Sequence, residues 1–368
     1  MLSIASLGEW ELLFKSDSKP KEVVIEVTTK CNYSCIHCFR NLMLNEVLGD
    51  MSERTFNNVV RGLDESDVRK VVFSGWGEPL THPRILEFIK RVKDLGIYTV
   101  LNTNGFLLSK YADELFKSEI DEIVVSVDSV ETDIYKSIRV GGLLSDVIKG
   151  VLRICELRGY GSKPELTMWF TMNALNLNDI PKVPSFARSL GIRKIVFSHI
   201  VPLSKKHEKD LAVYASNDLL IKLSQAFEEI SKEVLAVGGY VITPKHKPIV
   251  ERSCPFISNM ALFIRWDGLI APCMNYAHSW RNTFFGVERT IKAVTFGSVN
   301  EENLLNLWRK KGFVLFRFKT AFFIQPSCLD CHLSNYCNYT ASNMQDCWGN
   351  TPTCAHCPYS HHIVMCPL

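Results

Sequence analysis

Residues 23–38 read VVIEVTTKCNYSCIHC: the β-branched run Val23–Val27, then Cys31, Cys35 and Cys38. The run is short and apolar, as a buried strand is. The CxxxCxxC segment Cys31-Asn32-Tyr33-Ser34-Cys35-Ile36-His37-Cys38 follows it directly. Three thiolates at that spacing can wrap one small iron–sulfur cluster and leave one iron of a cubane without a protein ligand. A zinc site using the same thiols and His37 fits less well, because His37 adjoins Cys38 and both reach one ion only with strain. A thioredoxin-like redox pair also fits less well, since CIHC does not open a helix in the expected context.

Outward from this stretch the chain alternates strand and helix patterns. The strand candidates are Val23–Val27, Val71–Ser74, Tyr98–Asn102, Ile123–Asp128, Leu166–Met172 and Lys194–Ile200. Between them, Ile85, Phe88, Ile89, Val92 and Leu95 recur at helical spacing, opened by Pro83 and closed by Gly96. Val147, Val151, Ile154 and Leu157 mark a second helix, in which Cys155 reads as a core thiol. This alternation predicts an α/β protein with a parallel sheet of six βα units. Periodicity does not choose between an open doubly wound sheet and a curved partial barrel. Either one puts the chemistry at the C-terminal ends of the strands. After Pro202, Ser204–Lys209 reads as a solvated charged linker and Asn217–Leu235 as an amphipathic helix. From about residue 250 the chain is irregular and cysteine-rich, a domain that metal clusters would have to cross-link. The expected division is residues 1–202, 203–249 and 250–368.

Composition narrows the class. Among 368 residues, 46% are hydrophobic and 22% charged, which excludes wholesale disorder. With 42 basic and 39 acidic residues, a balance of +3, no global field steers the protein to nucleic acid. No apolar run is long enough to span a bilayer, and MLSIASLGEWELLF lacks a basic n-region and carries Glu9 and Glu11. A cytoplasmic protein with no membrane and no nucleic-acid partner is expected. Its 13 cysteines are odd in number and concentrated at the two ends: three near the start, Cys155 alone, and nine between Cys254 and Cys366. Reduced thiols in tight groups point to ligation rather than disulfides.

Three strand ends carry further motifs: Ser74-Gly75-Trp76-Gly77-Glu78-Pro79, Asn102-Thr103-Asn104-Gly105 and Ser126-Val127-Asp128, with Arg139 following. Together with CxxxCxxC, in this order, they resemble the radical S-adenosylmethionine (SAM) enzymes over about residues 20–202. The resemblance implies a partial (βα)6 TIM-like barrel. It implies a [4Fe–4S] cluster on Cys31, Cys35 and Cys38, whose fourth iron is chelated by the amino and carboxylate groups of SAM. His37 would stand beside the adenine. Gly75, Trp76, Gly77 and Glu78 would form the motif that holds the methionine amine, Ser126 and Asp128 would lie at the ribose, and Asn104 and Arg139 would complete the site. Trp76 departs from the commonest form of that motif but keeps both flanking glycines. The implied chemistry is reductive cleavage of SAM to a 5′-deoxyadenosyl radical, which takes a hydrogen atom from a substrate.

The C-terminal cysteines read Cys254-x13-Gly268-x4-Cys273 and Cys328-x2-Cys331-x5-Cys337, with a hairpin turn at Trp266-Asp267-Gly268 and a helix predicted over Leu304–Phe318. This resembles the SPASM extension of radical SAM enzymes, which implies two auxiliary [4Fe–4S] clusters and three clusters in all. Ala341 stands where the family usually has another cysteine. Cys254 and Cys273 are assigned to one cluster and Cys328, Cys331 and Cys337 to the other. Cys347, Cys354, Cys357 and Cys366 complete both, with one thiol left over. A zinc ribbon pairing Cys328/Cys331 with Cys354/Cys357 is the alternative. Trp308-Arg309-Lys310-Lys311 reads as a solvated basic face.

The tail from Cys347 to Pro358, with SGWGEP, resembles the radical SAM/SPASM maturases associated with tungsten-cofactor oxidoreductases. That implies a protein or peptide substrate, in the maturation of a tungstopterin-dependent oxidoreductase, and a low-potential electron donor. A formylglycine-type sulfatase maturase, or another peptide-modifying SPASM enzyme, is the nearer alternative. In the sulfatase maturases an aspartate follows the second auxiliary cysteine, whereas Met274 and Asn275 follow Cys273 here. A non-catalytic iron–sulfur carrier or zinc scaffold is the alternative of another class, and it has no use for the strand-end motifs. No catalytic base stands out. His199 at the sixth strand end and Tyr276 or His278 are the candidates for a base, each reading more readily as a structural or hydrogen-bonding group.

Overall fold

The β-branched runs form parallel strands in the order they occur. In the computed structural model, which describes residues 2–7, 9–15, 17–44, 47–159, 161–236 and 239–368, an N-terminal hairpin of β1 (Leu2–Leu7) and β2 (Trp10–Phe14) precedes them. The six predicted strands are β3 (Glu22–Ile25), β4 (Lys70–Phe73), β5 (Tyr98–Thr103), β6 (Glu122–Ser126), β7 (Glu165–Met172) and β8 (Lys194–His199). They neighbour one another in that order, all parallel. A doubly wound sheet reverses its strand order. This one does not, so right-handed crossovers place every connecting helix on one face and the sheet curves as a partial barrel.

Register explains why these strands are apolar throughout. Val24 pairs Val72 and Val72 pairs Val100, and this inner row packs toward Phe263, Tyr276 and Trp280 of the C-terminal region. The alternate residues Val23, Ile25, Val71, Phe73 and Leu101 face the helices and pack with Phe56, Val59, Phe88 and Ile89. The helix Glu53–Asp64 starts where Ser52 caps it, its side chain accepting from the Thr55 amide.

The same sheet continues past both ends of the barrel. β9 (Tyr240–Ile242) lies parallel on β8. β10 (Ala261–Ile264) lies parallel on β3 and turns back through Gly268, at φ +89°, into β11 (Ile270–Ala271). The cysteine-rich region thus begins as part of the barrel sheet, and positions 202 and 249 do not interrupt its hydrogen bonding. A separate hairpin joins β12 (Trp280–Phe284) to β13 (Val287–Ile291).

Two local expectations change. Residues 204–209 do not form a solvated turn: Ser204 caps a helix, Lys205–Leu211, by accepting from the His207 amide. Glu208 of that helix is buried because the amides of Phe285 and Gly286 and the hydroxyl of Tyr214 all donate to it. The helix read over Leu304–Phe318 is two, Leu304–Trp308 and Lys311–Ala321, broken where Lys310 adopts an extended ψ of 132°. Trp308 is buried, with the Arg317 guanidinium stacked 3.4 Å from its ring centre.

Barrel and C-terminal region are joined through Glu26. Its Oε1 accepts from the Trp76 amide at 2.9 Å, and its Oε2 lies 2.8 Å from Nε2 of His278, with both side chains fully buried. The Trp76 indole then donates to the Met274 carbonyl at 3.2 Å. Glu26→Ala removes a partner of His278 and strips the Trp76 amide of its acceptor. Breaking one side of such a buried pair costs about 3–5 kcal/mol, so this variant is expected to lose that much unfolding free energy, read anaerobically from denaturant titration. Glu26→Gln, which still accepts from Trp76, is expected to lose less.

Candidate functional site

The ends of the first strands converge on one cavity of about 240 Å³. Cys31, Cys35 and Cys38 line it, together with His37, Gly75, Trp76, Gly77, Glu78, Asn104, Ser126 and Arg139. The loop that carries the thiols is folded by local bonds. Arg40 donates to the carbonyls of Thr29 and Tyr33, and Asn104 Nδ2 donates to Asn32 Oδ1 at 2.8 Å. Glu78, fully buried, accepts from Thr103 Oγ1 and from the Asn104 and Leu80 amides, so one carboxylate pins the third strand end to the second. Burial raises its pKa against those bonds.

The two glycines are required by close approach. A Cβ on Gly77 would stand 2.4 Å from the carbonyl oxygens of Thr28 and Lys30, and one on Gly75 would strike the Glu26 side chain at 2.6 Å. Backbone groups of this turn can therefore lie against the cysteine loop.

Asp128 is the one predicted cofactor residue that does not line the cavity. It sits behind it, fully buried, with Arg139 Nε donating to Oδ2 at 2.7 Å and the Thr171 amide donating to Oδ1 at 2.9 Å. His37 Nε2 is 3.5 Å from Oδ2. Burial works against the Arg139 charge, but Asp128 and Cys35 outweigh it and hold the guanidinium protonated. Burial pushes His37 down to about 4 despite the pull of Asp128, so the imidazole is neutral at pH 7. Its Nδ1 and Asn102 Oδ1, both at this cavity, are buried without hydrogen-bond partners.

Every cysteine of the set with a perturbed acidity is perturbed in one direction. Burial raises Cys31 and pushes Cys35 up to about 12. The same cause lifts Cys254 and Cys328 to about 12 and raises Cys273, Cys354, Cys357 and Cys366. Burial favours the neutral thiol at each of these positions, and a bound metal centre, by its positive charge, would reverse that balance. Three partly buried thiols, a glycine cradle and unpaired polar atoms on one cavity fit a cluster and an adenosyl cofactor.

Cys254, Cys273, Cys354, Cys357 and Cys366 neighbour one another, and Cys328 neighbours Cys331 and Cys347. Cys254, Cys273, Cys357 and Cys366 line a second, smaller cavity. Cys354 is close to this group but does not line the cavity. It is buried on the side of Thr320, whose hydroxyl approaches its sulfur at 3.8 Å, and its amide donates to Gln325. Cys328 has Cys347 and Cys331 as its thiol neighbours. Cys337 follows in the adjoining 3₁₀ turn, and Cys331 and Cys347 are exposed. The Cys328 amide donates to the Ala355 carbonyl at 2.8 Å, so the Cys354–Cys357 segment runs beside Cys328. Among the described residues no group of three or more His, Cys, Asp or Glu side chains is drawn together tightly enough to hold a metal ion.

Sequence reasoning missed several participants. Glu26 had a signal, an acid inside an apolar strand run. Asp346 shapes the Cys347–Cys354 loop by accepting from the Trp348 and Asn350 amides and from Thr353 Oγ1. The chain end contributes Val364, Met365 and Pro367 to the first cavity, which no pattern foretold. Of the three side chains read as structural, Tyr276 donates to the Thr353 carbonyl and His278 is held by Glu26, while His199 lines the first cavity.

The radical SAM superfamily matches residues 25–184, and the SPASM iron–sulfur cluster-binding domain matches residues 254–332. The tungsten-containing aldehyde ferredoxin oxidoreductase cofactor-modifying protein of Pyrococcus furiosus is 30% identical over 354 residues, covering 95% of this chain and 97% of that protein. A probable GTP 3′,8-cyclase of Methanococcus maripaludis is 33% identical over 68% of this chain and 83% of its own. Among solved structures, anSMEcpe with bound AdoMet superposes with a TM-score of 0.64 at 16% identity, covering 94% of this chain and 93% of that one. Streptococcus suis SuiB bound to precursor peptide SuiA gives 0.62 at 17%, covering 88% and 72%. At such identities these two structures speak for the fold alone. Among the described residues no helix is long and apolar enough to cross a membrane.

Gly77→Ala tests the cradle. Its methyl group has nowhere to go without moving the cysteine loop, so a loss of about 1–3 kcal/mol is expected, as for an overpacked core, measured by thermal or denaturant unfolding.

Proposed function

The chain belongs to the radical SAM enzymes with a SPASM extension, and from that premise we propose that it matures a tungstopterin-dependent oxidoreductase by radical modification of a protein or peptide substrate. The observation that carries this reading is the single cavity on which three thiols, the glycine turn and residues of the C-terminal region meet. The likeness to the tungsten oxidoreductase cofactor-modifying protein runs through nearly the whole of both chains, whereas that to the GTP 3′,8-cyclases covers 68% of this one, which supports the tungsten reading.

Cys31, Cys35 and Cys38 would hold three irons of a [4Fe–4S] cluster. Bound together, that cluster and SAM supply one-electron cleavage of the sulfonium and hydrogen-atom abstraction from the substrate. The chain's own part is placement. The Gly75–Gly77 backbone would take the methionine end, with Glu78 fixing Asn104 beside it. Ser126 and the neutral His37 would face the adenosyl group. Asp128 would act from behind, keeping Arg139 and His37 aimed at the cavity. Trp76, Met274, Tyr359 and Met365 would exclude water from it. Two auxiliary clusters would complete the set of three, one on Cys254, Cys273, Cys357 and Cys366 and one on Cys328, Cys331, Cys337 and Cys347, leaving Cys354 as the non-ligand. The absence of an acid after Cys273 argues against formylglycine chemistry.

Anaerobic purification tests this. Three cubanes predict roughly twelve irons per chain and release of 5′-deoxyadenosine from SAM on adding dithionite, which Cys35→Ala abolishes. Zinc in place of iron, or cleavage surviving in Cys35→Ala, would overturn the assignment. For the auxiliary division, Cys366→Ser is expected to lose about four irons while Cys354→Ser keeps the full count. The substrate is identified by mass spectrometry of the oxidoreductase polypeptide and of its released pterin after incubation with the reduced enzyme and SAM. A mass change in the pterin alone would replace the protein or peptide substrate with the cofactor.

A further inference from the structure

His199 ends β8 and lines the first cavity while being almost wholly buried. Its Nε2 lies 3.0 Å from Nδ1 of His246, and its Nδ1 is buried with no hydrogen-bond partner. A buried ring nitrogen left unsatisfied in a native fold calls for an explanation, and a bound molecule is one. His246 follows β9 and is partly exposed, so the pair leads from the cavity toward solvent. The groups facing His199 are His246 and Tyr214, the latter edge-on at 5.3 Å between ring centres, and Lys245 adjoins His246.

We propose that His199 is the substrate-facing proton acceptor of this cavity, with His246 as its outlet to solvent, for a substrate presenting a hydroxyl, thiol or amine. The proposal rests on the reading above that the cavity admits a substrate. With its proton on Nε2, donated to His246, His199 keeps a lone pair on Nδ1. In the step, the substrate X–H bond breaks and Nδ1–H forms. The Nε2 proton of His199 passes to Nδ1 of His246, and His246 releases its Nε2 proton to water. No electrons are gained or lost. Exchange of both rings with water between turnovers restores the starting tautomers. Burial, and then His246, push the His199 pKa down to about 3. A base so weak takes a proton only where it can hand one on in the same event, and His246 stands at the distance that allows this.

Two measurements on the anaerobic holoenzyme decide the matter. In protein labelled with ¹⁵N-histidine, His199 is expected to show an unprotonated Nδ1 and a protonated Nε2; a proton on Nδ1 overturns the proposal. In single turnovers with SAM, dithionite and a tungsten-containing aldehyde ferredoxin oxidoreductase produced without this protein, modified product per 5′-deoxyadenosine is expected to fall at least tenfold in His199→Gln. Gln keeps a bond to His246 but cannot relay. His246→Gln is expected to act in the same direction and to remove the solvent deuterium effect on that ratio, and added imidazole to restore His199→Ala. An unchanged ratio in His199→Gln, or a fall with the deuterium effect and pH profile intact, assigns the pair a structural role and overturns the proposal. If the wild-type protein yields 5′-deoxyadenosine but no product, the substrate assignment falls, and the tautomer measurement alone decides the proposal.

Discussion

Glu26 is the carboxylate around which the site is assembled. It follows β3 with no exposure to water, a position that is tolerable only because every bond it needs is supplied nearby. One oxygen takes the Trp76 amide from the strand-end glycine turn, and the other meets His278, 252 residues further along the chain. Its own amide donates to the Ile264 carbonyl in β10. The barrel, the glycine turn and the cysteine-rich region are thereby referred to one side chain. The glycine turn packs on Glu26 through Gly75 and on the backbone leading into the cysteine loop through Gly77, and neither contact leaves room for a side chain.

What was legible in the sequence follows from which forces are local. All six barrel strands could be read, because β-branched runs buried on both faces have few other uses. Their order could not, since apolar periodicity is identical in an open sheet and a barrel; only pairing between sequential strands separates the two. Ser204–Lys209 was misread for a related reason. Its charges look solvated until the partner of Glu208 is known, and that partner is a hairpin backbone 77 residues away. The break at Lys310 left no mark in the helical pattern either.

For the site, the motif residues converge as strand-end logic predicts, with Asp128 as the instructive exception. An acid at the end of a strand can face the cavity or stand behind it. Here Arg139 and the Thr171 amide satisfy it from behind, and Arg139 takes the front. The sequence could not separate those roles, because the arginine that displaces the aspartate lies eleven residues on, past a helix.

Order along the sequence left Cys347, Cys354, Cys357 and Cys366 undivided, because loop closure rather than spacing decides which thiols meet. Asp346 folds the loop after it so that Cys347 stays with Cys328 while Cys354 turns to Thr320. Cys366 then reaches the second cavity from a segment whose neighbours Met365 and Pro367 line the first. Met274, Tyr359 and Pro367 border both cavities. Part of the wall of the candidate active site therefore comes from the segments that carry the C-terminal thiols. Anything that fixes those thiols also fixes the shape of the space that a substrate would enter, so the C-terminal region shapes the reaction chamber as well as carrying thiols of its own.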